Sequence, residues 1–326
     1  MSTPLLALHG LSTEIPTSRG VVRAVDGVSL DIGAGEAVAL VGESGCGKSM
    51  TALSILRLLR TPARIVGGSV VFEGVDLTRL AEADMRRLRG ARIAMVFQDP
   101  MTYLNPVKRV GRQVAEVLVV HQGLARAAAR TAVARLFDRV RLPQPDKTVD
   151  LYPHQLSGGM RQRVMIAMAI ACRPALLIAD EPTTALDVTI QAQIMQLLAE
   201  LRAELGGAML LITHDLGLVA ETCDRVNVMY AGQIVESAPT TTLFAAPRHP
   251  YTQGLLRSSL SITRPNREFR AIPGQPPDLA ALPAGCRFAP RCEQARPACA
   301  VTVQRLHQQG AGSHRCDVVA AAASTA

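Results

Sequence analysis

The chain has 326 residues, 48% of them apolar and only 3% aromatic, with no Trp and a formal charge of +8. That length fits one large domain with an appendage, or two modest domains, and the core must be built from Val, Ile, Leu, Ala and Met. Single-strand nucleic-acid binding wants basic residues interleaved with stacking aromatics, so the composition argues against it; an anionic membrane face, a phosphate-bearing ligand and a solvated basic surface all stay compatible with the charge.

The first residues, MSTPLLALHGLSTEIP, have no basic region and only a short apolar stretch, unlike a signal peptide. The longest apolar run, residues 164–172, is about half of what a bilayer requires. The expectation is a cytosolic chain that meets a membrane only through a partner.

Residues 36–41 (EAVALV) are a short apolar run feeding a glycine-rich turn, which predicts a buried strand. Residues 49–60 (SMTALSILRLLR) carry helical apolar spacing. The stretch from about 86 to 153 holds two predicted helices, near 111–121 and 127–139, and no evident strand; it reads as a helical insertion. Residues 176–179 and 208–212 are two further buried-strand candidates. Between them Ile190, Ile194, Leu197, Leu198, Leu201 and Leu205 fall on one helical face, predicting an amphipathic helix over 186–205. Strands alternating with helices predict an α/β fold with a mainly parallel sheet.

After about residue 262 the texture changes. Pro265, Pro273, Pro276, Pro277 and Pro283 break any regular element, so a wrapped tail is expected there. Of seven cysteines, Cys46, Cys172 and Cys223 are scattered, while Cys286, Cys292, Cys299 and Cys316 crowd into this tail. In a reducing compartment such a cluster suggests metal before disulfides.

Gly42-Glu43-Ser44-Gly45-Cys46-Gly47-Lys48-Ser49 fits G-x-x-x-x-G-K-[ST]. The glycines let the backbone curl so that its N–H groups point at phosphate oxygens, and the following helix adds its positive dipole end. Lys48 is expected on the β- and γ-phosphates and the Ser49 hydroxyl on Mg²⁺. The apolar run 176–179 ends in Asp180 and Glu181. Asp180 is expected to help hold Mg²⁺ through water, and Glu181 to polarise the attacking water. These residues together say P-loop NTPase.

Leu156-Ser157-Gly158-Gly159-Met160 precedes an apolar helix over 164–171. It forms a second anion-binding helix N-terminus in one chain, or, more plainly, an ordinary cap by Ser157.

Taken together, the motifs resemble the ATP-binding subunits of ABC transporters over roughly residues 5–259. Leu156 to Met160 look like the signature LSGGQ; Gln98 in Phe97-Gln98-Asp99-Pro100 matches the Q-loop glutamine; Asp187 matches the D-loop; His214 in Thr213-His214-Asp215 matches the switch histidine. A closer match lies downstream. Residues 247–252 (PRHPYT), 285–288 (GCRF) and 290–292 (PRC) look like the C-terminal extension of oligopeptide and dipeptide importers, and residues 152–194 are similar to the D-type ATPase subunits of dipeptide transporters.

The resemblance implies a P-loop (ABC) ATPase domain over 1–260, with a helical signature subdomain at about 86–170, and a small Pro/Cys-rich extension over 261–326. It implies ATP and Mg²⁺ as ligands, with Ser49, Gln98 and Asp180 serving the cation and Glu181, His214 and Gln98 the chemistry. Two ATPase subunits would close head to tail, each ATP lying between Gly42–Ser49 of one and Ser157, Gly158 and Gly159 of the other, with Asp187 beside them. Expected partners are a second ATPase subunit, as a heterodimer, two transmembrane permease subunits and an extracytoplasmic peptide-binding protein, and no nucleic acid. The expected location is the cytoplasmic face of the bacterial inner membrane, as a peripheral subunit.

Two departures stand out: Met160 replaces the signature glutamine, and Ile15 takes the place where the family often puts an adenine-stacking aromatic. The four tail cysteines lack the C-x₂-C knuckle of structural zinc sites. The resemblance favours a [4Fe–4S] cluster on them over zinc, and four reduced, buried thiols are the bland alternative. Competing readings are a soluble ABC ATPase acting on nucleic acid or ribosomes, and a small-molecule kinase. The chain lacks the long inserts or second ATPase domain of the former, and the signature turn and His214 argue against the latter.

Overall fold

A computed structural model describes residues 3–184, 186–263 and 271–323. The chain forms two compact units. One is made chiefly of Leu6–Ile32, Ala37–Thr78 and everything from Ile212 onward; the other holds Gly33–Glu36 and Arg79–Leu211.

The first unit opens with β1 (Leu6–Thr17), β2 (Gly20–Ile32), β3 (Ala37–Val41), α1 (Lys48–Ile55), β4 (Arg64–Phe72) and β5 (Val75–Asp76). Four of these make an antiparallel sheet in the order β2-β1-β4-β5. Toward the end of β2, Val28, Leu30 and Ile32 are buried while the residues between them are exposed. That alternation is expected of a sheet with one solvated face. Ile15 lies on β1 opposite Val22. All five residues of β3 are buried, as the apolar run predicts. Helix α1 stops at Ile55, short of the predicted residue 60, because the backbone turns left-handed at Arg57 (φ 51°).

The second unit contains α2 (Glu82–Leu88), β6 (Ile93–Val96), α3 (Pro100–Tyr103), α4 (Val110–Gln122), α5 (Arg126–Arg139), α6 (Pro145–Thr148), α7 (Gly158–Ile170), β7 (Leu176–Asp180), α8 (Val188–Leu205) and all but the last two residues of β8 (Ala208–Thr213). Strand β6 pairs in parallel with β7, Ile93 facing Leu176 and Val96 facing Ala179. This corrects the reading of residues 86–153 as strandless: a four-residue run is too short to show a period. Helices α4 and α5 stand where predicted, burying Val110, Val114 and Leu118 on one and Ala129, Val133 and Phe137 on the other. The amphipathic face of α8 buries Ile194, Leu197, Leu198 and Leu201, and the helix ends at Gly206 in the left-handed region.

The first unit resumes with α9 (Leu216–Thr222), β9 (Arg225–Tyr230), β10 (Gln233–Pro239), α10 (Thr240–Ala245), α11 (Pro250–Thr263), β11 (His307–Gln309), β12 (Gly312–His314) and α12 (Asp317–Ala323). Its strands run in the order β11-β12-β10-β9-β3, with β3 and β9 parallel and the others antiparallel. The tail is more regular than its prolines suggest. Residues 271–285 are irregular, but 3₁₀ turns follow at Ala289–Arg291 and Pro297–Ala300, and the β11–β12 hairpin extends the sheet. Pro265 lies outside the described residues. Tyr230 meets Tyr251 at 4.5 Å between ring centroids and Phe288 at 5.3 Å, while Tyr251 and Phe288 lie 5.4 Å apart. In a chain so poor in aromatics, this knot is a major anchor of the tail onto the first unit.

Candidate functional site

The loop between β3 and α1 is shaped by its glycines. Gly42 has φ +152°, and a Cβ there would stand 2.2 Å from the Met229 carbonyl oxygen. At Gly47, with φ +111°, it would stand 2.1 Å from the carbonyl of Ala24. Only glycine fits either position. Lys48 is buried at the start of α1, and its ammonium donates to the carbonyls of Gly42 at 2.8 Å and Glu43 at 3.0 Å. The Cys46 amide closes the loop onto the Glu43 carbonyl, and the Cys46 carbonyl accepts from Gly232 N–H. Burial pushes the Cys46 thiol up, against the pull of Lys48, so it sits in the loop as a neutral group. Ser44 and Gly45 are exposed and Ser49 is half-buried. The result is a curled backbone at a helix N-terminus with one fixed cation, a geometry for phosphate oxygens.

In the second unit, β7 delivers Asp180, buried at 5% exposure, and then Glu181, whose backbone is left-handed at φ 44°. A non-glycine residue in that region is strained, and such strain gathers at functional sites. The Glu181 carboxylate accepts from Gln98 Nε2 and from Thr184 Oγ1, each at 2.9 Å. Gln98 thus spends its amide nitrogen on Glu181. Within this unit Gln98 and Asp180 each carry a side-chain oxygen, the donor type that suits Mg²⁺.

Ser157 caps α7, its Oγ accepting from Met160 N–H at 3.3 Å, and both Ser157 and Gly158 are exposed. The plain capping role is therefore real, and it leaves the turn open to a further ligand. A Cβ on Gly158 would lie 3.3 Å from Leu186, and one on Gly159 would lie 3.0 Å from Ile190. The glycines let the turn lie close against the start of α8, where exposed Asp187 is the N-cap residue without a side-chain cap. His214 is exposed just after β8, beside Asp215, which caps α9 through Gly217 and Leu218 N–H.

The tail cysteines converge. Cys286, Cys292, Cys299 and Cys316 all line one small pocket, together with Phe288 and Val318, and Cys286 N–H donates to the Cys299 carbonyl. All four are free thiols. Burial above all, and then the neighbouring sulfurs, push Cys286 and Cys292 up; burial also raises Cys316, with Cys299 and Asp317 adding to it. Among the described residues no group of three or more His, Cys, Asp or Glu side chains is disposed to hold a metal ion. The expectation of an iron–sulfur centre is not supported by this arrangement: the thiols share a pocket wall without forming a ligand cage.

One constellation has no counterpart in the sequence motifs. Arg291, buried at 6% exposure, forks onto the Glu43 carboxylate at 2.6 and 2.9 Å. The Glu43 N–H donates to the Tyr251 hydroxyl at 2.9 Å. A second tail arginine, Arg287, donates to the Ala231 carbonyl and pairs with Asp26. The motifs PRHPYT, GCRF and PRC contain Tyr251, Arg287 and Arg291, but nothing local in them points to a phosphate loop more than 200 residues upstream.

Comparison with known proteins is consistent with this site. Residues 25–184 match the family model described as ABC transporter, and residues 235–299 match that of the oligopeptide/dipeptide transporter C-terminal region. The chain is 53% identical over 298 residues to a Sinorhizobium fredii protein named as a probable peptide ABC transporter ATP-binding protein, covering 90% of this chain and 89% of that one. It is 52% identical over 315 residues to a Brucella ovis protein named as a peptide import ATP-binding protein, covering 93% of each. Among solved structures, a dimeric ATP-binding cassette in a post-hydrolysis state bound to ADP and Pi superposes with a TM-score of 0.65 at 27% identity, over 72% of this chain and 98% of that one. A Clostridium perfringens cassette that is part of the cbiONQ ABC transporter complex gives 0.63 at 27% identity, over 81% and 97%.

Proposed function

The chain belongs to the ABC transporter family as an ATP-binding, ATP-hydrolysing subunit, and from that premise we propose that it powers the import of di- and oligopeptides. The observation that carries the peptide reading is the match of residues 235–299 to the oligopeptide/dipeptide transporter C-terminal region, on the same chain as the phosphate loop. The test is reconstitution with the permease subunits of its own system: ATP turnover should rise with a peptide-loaded binding protein, and indifference to peptide overturns the cargo.

The site assignments are part of the proposal. Gly42, Glu43, Ser44, Gly45, Cys46 and Gly47 cradle phosphates by their backbone, Lys48 neutralises them, and Ser49, Gln98 and Asp180 hold Mg²⁺. Glu181 polarises the attacking water and His214 reads the γ-phosphate. Ser157, Gly158 and Gly159, with Asp187, act on the ATP of a second ATPase subunit; a turn that is exposed and built for an anion supports this. The domain bounds proposed are 1–260, with the helical subdomain at about 86–170, and 261–326. No described helix is long and apolar enough to cross a membrane. Docking on two permease subunits at the cytoplasmic face, fed by an extracytoplasmic binding protein, is proposed as its place.

The finer cofactor reading, a [4Fe–4S] cluster on Cys286, Cys292, Cys299 and Cys316, rests on the number of thiols crowded into the tail, four being what such a cluster needs, and not on a ligand geometry already formed among the described residues. Iron, sulfide and zinc analysis after anaerobic purification tests it. Protein with none of the three and a folded tail overturns it, and zinc without sulfide replaces the metal.

A further inference from the structure

A phosphate-binding loop gains from every positive charge and loses from every negative one. Yet the second residue of this loop is Glu43, whose side chain is a quarter exposed while its carbonyl sits 3.0 Å from the Lys48 ammonium. A free carboxylate there would repel the polyanion the loop is built to hold.

Arg291 answers that problem. Both terminal nitrogens of its guanidinium reach the two Glu43 carboxylate oxygens, the strongest arrangement for this pair. The guanidinium is itself locked: Nε donates to the Pro273 carbonyl at 2.8 Å, Nη1 donates to the Tyr230 hydroxyl at 3.3 Å, and it stands 5.8 Å from the Tyr230 ring centroid. Its backbone belongs to the 3₁₀ turn Ala289–Arg291, next to Cys292. The tail therefore delivers a rigid cation to one carboxylate of the loop, and Tyr251 holds the same residue by its N–H.

We propose that Arg291 is a positioning residue for nucleotide binding, which neutralises and immobilises the Glu43 carboxylate so that a loop bearing an anion still accepts a polyphosphate. The C-terminal extension is then part of the nucleotide site by electrostatics. The inference rests on the reading of residues 42–49 as the ATP loop. A merely structural pair, one that only fastens the tail, would show no dependence on ligand charge.

The experiment measures MgATP, MgADP and adenosine affinity of the full chain by calorimetry, with folding followed by thermal melts. Arg291→Gln should weaken ATP by about tenfold or more, ADP less, and adenosine little. Arg291→Lys, which keeps the charge but gives up the two-pronged contact, should lose clearly less ATP affinity than Arg291→Gln. Adding Glu43→Gln to Arg291→Gln should recover most of the lost ATP affinity. Glu43→Gln alone leaves the guanidinium uncompensated and should raise ATP affinity relative to adenosine; this arm decides if Arg291→Gln does not fold. The proposal is overturned if Arg291→Gln and Arg291→Lys fall equally, if the loss is the same for all three ligands, or if the double variant stays as weak as Arg291→Gln. Lys48→Ala separates the two levels. If it leaves ATP affinity unchanged, the loop assignment has failed; if it alone loses affinity, only the role of Arg291 has.

Discussion

Gln98 donates its side-chain amide to the Glu181 carboxylate at 2.9 Å, across 83 residues of sequence. The hydroxyl of Thr184 donates to the same oxygen. Both donors are neutral, and together they help fix the direction in which the Glu181 carboxylate faces.

Glu181→Gln keeps the shape and removes the base. ATP binding should be retained and turnover should fall by roughly 10²–10⁴. Gln98→Ala removes an orienting hydrogen bond and a proposed Mg²⁺ ligand but leaves the base, so at saturating Mg²⁺ it should lower turnover less. Phosphate release by the assembled transporter, beside nucleotide binding, checks both; parental turnover in Glu181→Gln would sink the assignment.

Lys48→Ala removes the buried ammonium that bridges the Gly42 and Glu43 carbonyls. A charge-assisted hydrogen bond from that ammonium to a phosphate oxygen is worth about 1.5–3 kcal/mol, so ATP affinity should drop by at least about tenfold. Calorimetry of the full chain reads this directly.

How much of this is legible in the sequence follows from sequence distance. The phosphate loop, the Ser157 turn and the Asp180-Glu181 pair are local words, and each stands where its spacing places it. Buried strands β3, β7 and β8 and helix α8 are also readable, since an apolar run or a helical stripe is written within a few residues. The antiparallel sheet of β1, β2, β4 and β5 is not, because its twisted, bulged strands blur the alternation; β1 and β2 shift register between Leu8 and Leu11. Strand β6 is too short to show a period. The Arg291–Glu43 fork joins residues 248 apart, and no single-chain pattern announces a pair at that range. The cysteine cluster lies between these cases: its crowding is visible, but whether four thiols face one centre depends on how the tail folds.

Ser157→Arg tests the trans role. Its Oγ caps α7 through Met160 N–H, so losing it costs about 1 kcal/mol of helix stability. ATP binding by the isolated chain should be spared, and hydrolysis across the subunit interface should be blocked. Mixed complexes with an intact partner should lose one site of two, measured as residual turnover. An equal loss of ATP binding in the isolated chain would place Ser157 in its own site instead.

Acid should loosen the first unit through His249. This residue is 2% exposed, and its Nδ1 accepts from Tyr251 N–H at 3.1 Å, which only the neutral ring can do. Burial first, then the nearby His314 and Arg315, hold its pKa down to about 3, from an ordinary value of 6.5. The sign follows: below 6.5 the unfolded chain takes up a proton that the folded chain refuses, so the unfolded state gains. Stability is fully present above 6.5 and falls as the pH drops toward 3, by up to about 1.4 kcal/mol per pH unit for this one group. Between pH 7 and 5 the parent should therefore lose about 2 kcal/mol that His249→Asn, whose amide oxygen replaces Nδ1 as acceptor, does not lose. Denaturant unfolding at several pH values measures the difference, and parallel profiles for the two proteins would show that His249 does not titrate in this way.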